Sequence, residues 1–343
     1  MAREQPQVKQ GERSRAVRSR LSKLLWLGLL VVLLILGPFS YFTYEMVQKI
    51  LLTQPSNNTY RWPQISDFWL ALVLMVICLA VENFLVFFLT PHIETICREQ
   101  VDLQVRNIRS KKAVKNIFKG LYFVASTSLG FWMLKDSYIM PPSLGGRGSL
   151  SRHLEGYPFW EHPPYYNVFY MGCMGYNLAG LFQELFIEPK GRDDYIEMVL
   201  HHSVTVYLIV FSYLGNFFIG APIILIHNSS DMLFSFLRAL NETKYNETAF
   251  KLFVVTMSVW LYMRCYIFPQ VVYVAYQSNY ELASPWLAPL FRFCLSCLQF
   301  LHFYWTFLLF KIIHNKLTTG VVDDLIQKNQ LSSERKAEEG KQE

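Results

Sequence analysis

Cysteine and histidine are scarce in this chain of 343 residues, which contains six and eight of them. Five of the cysteines lie in or beside apolar runs, and Cys294 and Cys297 form a C-x-x-C pair inside an aromatic-rich run. That placement is typical of helix packing and argues against a disulfide framework. The histidines include no H-x-x-x-H motif. They are therefore too few for a membrane di-iron oxidase, and we expect no resident metal.

Long apolar runs are abundant, and 52% of the residues are hydrophobic. A run of about 20 apolar residues spans the bilayer core, where the backbone must be helical. We therefore predict an all-α polytopic membrane protein with about eight transmembrane helices. The predicted spans are 24–44, 68–90, 118–134, 168–187, 198–214, 217–236, 252–274 and 287–313.

Basic residues cluster between the apolar runs and predict the orientation of the chain. Residues 1–23 form a basic tail, and a second basic cluster extends from Arg98 to Lys115. Cytosolic segments are enriched in Lys and Arg. We therefore expect both termini in the cytosol, including the charged tail 317–343, and the sequon at Asn57 in the lumen. The chain divides into the tail, two helices with a basic loop (24–114), a helical domain (115–316) and the second tail.

Titratable residues inside the predicted spans are candidates for function, because a charge in the bilayer core is costly. They are Glu82, Glu184, His201, His202, His227, Asp231, Arg264 and His302. Glu184 and Arg264 lie near predicted span ends, where we expect their side chains to extend toward the membrane surface.

The fifth and sixth spans form a hairpin whose turn lies near Gly215. His202 precedes that turn by 13 residues and Asn228 follows it by 13. At the helical rise, both lie about 20 Å from the turn and share a depth. His227 and Asp231 share one helix face because they are four residues apart. The hairpin can thus gather imidazoles, a carboxylate, an amide and hydroxyls.

Such a cluster has three interpretations. Imidazoles can exchange protons near neutral pH or attack an acyl carbonyl, with a carboxylate to orient them. The same groups could form a structural polar network between helices, and three histidines with one aspartate could hold zinc. Spacing alone does not choose between them.

The segment 194–245 resembles the ceramide synthase (longevity-assurance) signature of the TLC domain. The pattern is a His pair, H-H, followed by H-N-S-S-D. The matching positions are Asp194, Glu197, Met198, His201, His202, Thr205, Leu208, Ile209, Ser212, Tyr213, Asn216, Gly220, His227, Ser230, Asp231 and Asn241. Arg264 and Pro269 match a later R-x-x-x-x-P, and 298–305 looks like the last span of the family. The resemblance covers roughly 115–316 and implies that the last six helices form a TLC-type bundle.

The resemblance implies a sphingosine N-acyltransferase (ceramide synthase) of the endoplasmic reticulum, which transfers a fatty acyl group from acyl-CoA to a sphingoid long-chain base. It implies His201 as acyl acceptor, with His202 and Asp231 handling the proton of the amine. His227 and Asn228 would orient the pair. The further supporting residues are Thr205, Ser212, Tyr213 and Ser230.

The same resemblance predicts the partners. Acyl-CoA is a co-substrate, and no cofactor or nucleic acid is expected. Lys111, Lys112 and Arg192 are candidates to attract the CoA phosphates. The protein could form a homo-oligomer, or a hetero-oligomer with a small regulatory subunit.

Two alternatives remain open in the sequence. Asn228 stands where the family has Asp, and an amide cannot carry the charge of a carboxylate. This favours a non-catalytic TLC-domain protein for lipid sensing or trafficking. A transporter would use the same buried charges as a pathway, but the chain has no internal repeat that would supply two related halves.

Overall fold

The computed structural model describes residues 62–188, 195–278 and 287–319, with six further positions between 41 and 52. The regular elements in these ranges are helices, with no strand; one isolated antiparallel bridge joins Cys97 to Thr243. The predicted tail 1–23, most of the span 24–44, the Asn57 sequon and Arg192 lie outside the described residues.

Eight α-helices occur in the described ranges, and two π-helical segments extend or join them. The helices are α1 (Phe68–Glu94), α2 (Leu103–Leu134), α3 (Tyr166–Phe182), α4 (Tyr195–Leu214), α5 (Gly220–Asn241), α6 (Asn246–Trp260), α7 (Phe268–Gln277) and α8 (Leu287–Thr319). The π segments are Gln183–Ile187, which continues α3, and Leu261–Ile267, which joins α6 to α7.

Within the ranges that the structure describes, five helical segments are long and apolar enough to cross a membrane, so the chain is a multi-pass membrane protein. They are Ile65–Glu94, Leu103–Leu134, Tyr195–Leu214, Glu247–Gln277 and Ala288–Asn315. The predicted count of eight is not confirmed. The helix α3 has only 17 residues, and α5 carries the polar run 227–231 in its middle.

The bundle is built around α2 and α5, which pack against each other most extensively. Small residues let the helices approach closely: a Cβ on Gly130 of α2 would lie 2.8 Å from the ring of Phe169 on α3. Helix α1 covers α2 and α3 and leaves Trp69, Val73 and Phe87 exposed. Exposed apolar side chains are expected where a helix faces lipid.

The turn between α4 and α5 is clamped by the loop 135–165. Asn216 adopts a left-handed conformation with φ of 55°. Its carbonyl accepts from Trp160 Nε1 at 2.9 Å, its Oδ1 accepts from His162 Nε2 at 2.8 Å, and its Nδ2 donates to the carbonyl of Pro158 at 2.8 Å. The loop therefore fixes the hairpin that carries the candidate site residues.

Asn216→Ala should lower the free energy of unfolding by about 2–3 kcal/mol. It removes two side-chain hydrogen bonds, and alanine at positive φ has no polar side chain to stabilise the left-handed conformation. Asn216→Gly retains the backbone freedom and should lose less. Thermal unfolding of the detergent-solubilised variants measures both. Equal stability of Asn216→Ala and the wild type would contradict this role.

His153 should make the loop sensitive to acid. It is fully buried, its Nδ1 donates to the carbonyl of Leu150 at 3.0 Å, and burial lowers its pKa to about 4. The folded protein therefore binds this proton more weakly than the unfolded chain does. Stability should fall as pH decreases from about 6.5 toward 4, by up to about 3 kcal/mol, with no contribution from this group above that window. The free energy of unfolding, measured at several pH values, should depend less steeply on pH for His153→Gln than for the wild type. An identical pH dependence would refute the assignment to His153.

Candidate functional site

One cavity of about 760 Å³ runs through the bundle, and α1 to α6 and α8 all contribute to its wall. Most of the residues predicted for the site meet there. Those that line the cavity are His201, His202, Thr205, Ser212, His227, Asn228 and Asp231. The hairpin geometry predicted from the turn at Gly215 thus brings the histidines of α4 and α5 to one space.

The paired histidines of α4 face different neighbours. Their ring centroids are 5.5 Å apart, and the ring of His201 packs edge-on against Trp305 of α8 at 5.2 Å. The ring of His202 packs on Gly180 of α3, where a Cβ would lie 2.9 Å from Cε1. His201 Nδ1 is buried and makes no hydrogen bond to any described residue. One nitrogen of His201 is therefore not committed to the fold.

Arg264, in the π segment between α6 and α7, is the centre of a buried network. It is 1% exposed. Its Nε donates to Ser230 Oγ at 2.8 Å, and its Nη1 donates to His302 Nε2 at 2.7 Å. Its Nη2 donates to Asp231 Oδ1 at 2.7 Å and to the carbonyl of His227 at 3.2 Å.

The expectation that Arg264 extends to the membrane surface is wrong. The side chain instead enters the bundle, where a carboxylate compensates its charge and three further acceptors satisfy the guanidinium. Glu184 was expected to behave in the same way and is also buried, at 8% exposure.

The hydrogen bonds assign the protonated nitrogen of two histidines. A guanidinium only donates, so His302 Nε2 accepts from Arg264 and the neutral ring carries its proton on Nδ1. A carbonyl only accepts, so His227 Nδ1 donates to that of Ile223 at 2.7 Å. His227 Nε2 then holds a lone pair, and it is buried with no partner among the described residues. That nitrogen can accept a proton.

Asn228 faces away from the Arg264 network. Its Nδ2 donates to Ser126 Oγ of α2 at 2.7 Å and lies 3.7 Å from Cys173 Sγ of α3. It is 6% exposed. An amide can donate this bond, whereas a carboxylate would have to accept one from the hydroxyl. Asn228 therefore joins three helices without adding a charge.

The remaining predicted residues differ in how far they lie from the cavity. Thr205 and Ser212 line the cavity, and Ser212 Oγ donates to the carbonyl of Ile209 at 3.2 Å. Ser230 lies behind the cavity wall and holds Arg264. The structure does not bring Tyr213 to this site: its hydroxyl donates to Asp67 Oδ2 at 2.8 Å, near the end of α4 that the loop covers.

Sequence reasoning missed Lys119 and Trp305, which both line the cavity. Lys119 could have been found from its spacing, since Lys111, Lys115 and Lys119 are four residues apart. Trp305 ends the segment 298–305 that resembles the last span of the family, but an aromatic residue in an apolar span is ordinary and does not indicate a site residue. Within the described ranges, no three His, Cys, Asp or Glu side chains are arranged to hold a metal ion.

The chain has informative relatives. Human ceramide synthase 4 is 29% identical over 218 residues, which are 62% of this chain and 53% of the relative. Sphingosine N-acyltransferase lac1 of Schizosaccharomyces pombe is 25% identical over 254 residues, covering 67% of this chain and 64% of the relative. Ceramide synthase hyl-2 of Caenorhabditis elegans is 25% identical over 291 residues, with 78% and 84% covered. The chain spans about half the length of the human relative.

The TLC domain family matches residues 112–311, which contain α3 to α7, most of α2 and most of α8. This match covers more than half of the chain and includes the histidine pair, the Arg264 network and most of the cavity wall. The chain belongs to the TLC domain family.

Proposed function

We propose that this protein is an acyl-CoA-dependent N-acyltransferase that acylates the amine of a sphingoid long-chain base, as the names of its relatives suggest. The observation that carries the proposal is a single cavity holding the paired histidines together with His227 and the Asp231–Arg264 pair. We place the protein in the endoplasmic reticulum membrane with both termini in the cytosol.

The cavity has the polarity that these substrates need. One end carries Lys111, Lys112, Lys115 and the exposed Arg238. Apolar side chains line other parts of the wall, among them Leu208, Ile223, Ile224 and Phe291. A polar nucleotide would lie at the basic end and an acyl chain among the apolar side chains, so that the thioester lies between them.

In the first step, a nitrogen lone pair of His201 attacks the thioester carbonyl. The carbon–sulfur bond breaks, and CoA leaves as a thiolate. The imidazole loses its remaining proton, by way of His202, to that thiolate, which gives a neutral acyl-imidazole and free CoA thiol. The uncommitted Nδ1 of His201 is the observation that supports this role.

In the second step, the amine of the long-chain base attacks the acyl-imidazole. The new carbon–nitrogen bond forms as the bond to His201 breaks, and the amine proton returns to the imidazole through His202. The side chain of Asp231 is 32% exposed, although one oxygen holds Arg264. It can therefore attract the ammonium form of the base before that amine loses its first proton, for which the lone pair of His227 Nε2 is available.

His201→Ala should reduce the formation of N-acyl product at least about a hundredfold, because no other group replaces the nucleophile. The measurement uses purified protein, a labelled long-chain base and acyl-CoA of several chain lengths. His314→Ala is the matched control, since His314 is exposed near the end of α8 and should have no effect. Unchanged product formation by His201→Ala would refute its role.

The alternative is a TLC-domain protein that senses or moves lipids without catalysis, and the neutral Asn228 favours it. It predicts that folded protein binds a long-chain base or acyl-CoA but forms no product from them. Product formation by the wild type excludes this alternative. Binding without product in any donor chain length would establish it instead.

Arg264→Met should destabilise the protein by about 3–5 kcal/mol and abolish transfer, because it leaves the Asp231 carboxylate without its cation. Arg264→Lys retains the charge but makes fewer hydrogen bonds, so its stability and its transfer rate should lie between those of the wild type and Arg264→Met. Arg152→Met is the control: Arg152 pairs with Glu155 at 2.6 Å, but both side chains are about half exposed, so the loss should be under about 1 kcal/mol. Similar losses for Arg264→Met and Arg152→Met would contradict the importance assigned to the buried network.

A further inference from the structure

Three lysines form a line along α2, inside the cavity. Lys111, Lys115 and Lys119 are four residues apart, and all three line the cavity wall. Side chains at this spacing lie on one helix face. Successive lysines are separated by about 6 Å along the helix axis, so Lys111 and Lys119 are about 12 Å apart.

The lysines at this end of the cavity differ in their counter-ions. Lys115 Nζ lies 3.0 Å from Glu188, and Lys112 Nζ lies 3.7 Å from Glu242. In the part of the chain that the structure describes, the ion pairs include neither Lys111 nor Lys119. A partly buried ammonium that makes no direct ion pair is stabilised by an anion that approaches it.

Glu82 is the carboxylate with the largest electrostatic effect on Lys119, although the two form no ion pair; it lines the same cavity and is 5% exposed. Its Oε2 instead accepts a hydrogen bond from Gln183 Nε2 at 2.9 Å. This partner satisfies part of the carboxylate without using the positive charge of Lys119. Because Glu82 and Glu188 act on Lys119 without a direct ion pair, the ammonium can still donate to an anion that enters the cavity.

Lys119 lies between the basic end of the cavity and the histidines. Ser126 of the same helix contacts Asn228, which adjoins His227. Lys119 precedes Ser126 by seven residues, or about 10 Å along the axis. Lys111 lies a further 12 Å or so toward the basic end. An anionic ligand that enters at the basic end and extends toward the histidines passes Lys111 first and Lys119 second.

This order matches the order of charges in an acyl-CoA. Its thioester is joined through the pantetheine arm to a diphosphate, and the ribose beyond carries a 3′-phosphate. With the thioester at the histidines, and counting outward from it, the diphosphate comes first, near Lys119, and the 3′-phosphate second, near Lys111. Ammonium groups bind phosphates as point charges.

We propose that Lys119 binds the diphosphate of the acyl donor and Lys111 its 3′-phosphate, so that these two lysines select CoA thioesters over donors without phosphate. This inference rests on the proposed acyltransferase function. It adds to that function the residues that recognise the part of the donor that does not react.

The test compares three donors with one acyl chain: acyl-CoA, acyl-3′-dephospho-CoA and acyl-pantetheine, which has no diphosphate. Lys119→Met should raise KM for acyl-CoA by about tenfold or more and leave KM for acyl-pantetheine unchanged. Lys111→Met should remove the preference for acyl-CoA over acyl-3′-dephospho-CoA. Lys119→Arg, which retains the charge, should restore most of the affinity for acyl-CoA.

Two variants act as controls. Lys135→Met removes a cation at the far end of α2, outside the cavity, and should leave all three KM values unchanged. Glu82→Gln removes the alternative counter-ion and should not mimic Lys119→Met.

The outcomes separate this inference from the proposed function. If no donor is used by the wild type, the acyltransferase function itself is wrong. If the wild type transfers acyl groups but Lys119→Met changes KM for acyl-pantetheine as much as for acyl-CoA, the function stands and the diphosphate assignment is overturned. Unchanged turnover of acyl-pantetheine also shows that the Lys119→Met protein is folded.

Discussion

The buried ion pair between Arg264 and Asp231, with its bonds to Ser230 and His302, is the interaction on which the site depends. It joins α5, the π segment and α8, all of which line the cavity that holds the histidine pair of α4. A charge inside a membrane protein must be compensated, and here the compensation also fixes the position of the catalytic candidate Asp231. The carboxylate remains partly exposed toward the cavity, so one group serves the fold and the proposed reaction.

The two ends of the bundle on either side of this pair differ in what they carry. The loop 135–165 holds the α4–α5 turn through Asn216 and so fixes the connection between the two helices that carry His201 and His227. At the other end, the lysines of α2 and Arg238 line the cavity. The proposed donor would enter by that end with its phosphates outermost, and the thioester would reach the histidines. The Asn228 amide adds no charge to the site, which leaves Asp231 as the carboxylate held by Arg264.

Much of this site could be predicted from spacing. Equal separations from the turn placed His202 and Asn228 at one depth, and the four-residue interval placed His227 beside Asp231, because helical rise and periodicity are fixed. Arg264 could not be placed, since sequence does not say whether a cation near a span end turns outward or meets a carboxylate. Tyr213 matched the family pattern but faces Asp67, because its helix face is set by packing. The predicted count of eight spans is not confirmed, because the polar residues 227–231 lower the apolarity of α5 and α3 has only 17 residues.

The central claim is that His201 carries the acyl group. Purified protein should be mixed with acyl-CoA in the absence of any amine acceptor, quenched, digested and analysed by mass spectrometry. We expect an acyl adduct on His201 that forms with release of CoA thiol, disappears on addition of a long-chain base and is absent in His201→Ala. An adduct that persists in His201→Ala, or N-acyl product formed with no adduct at any time, would contradict it.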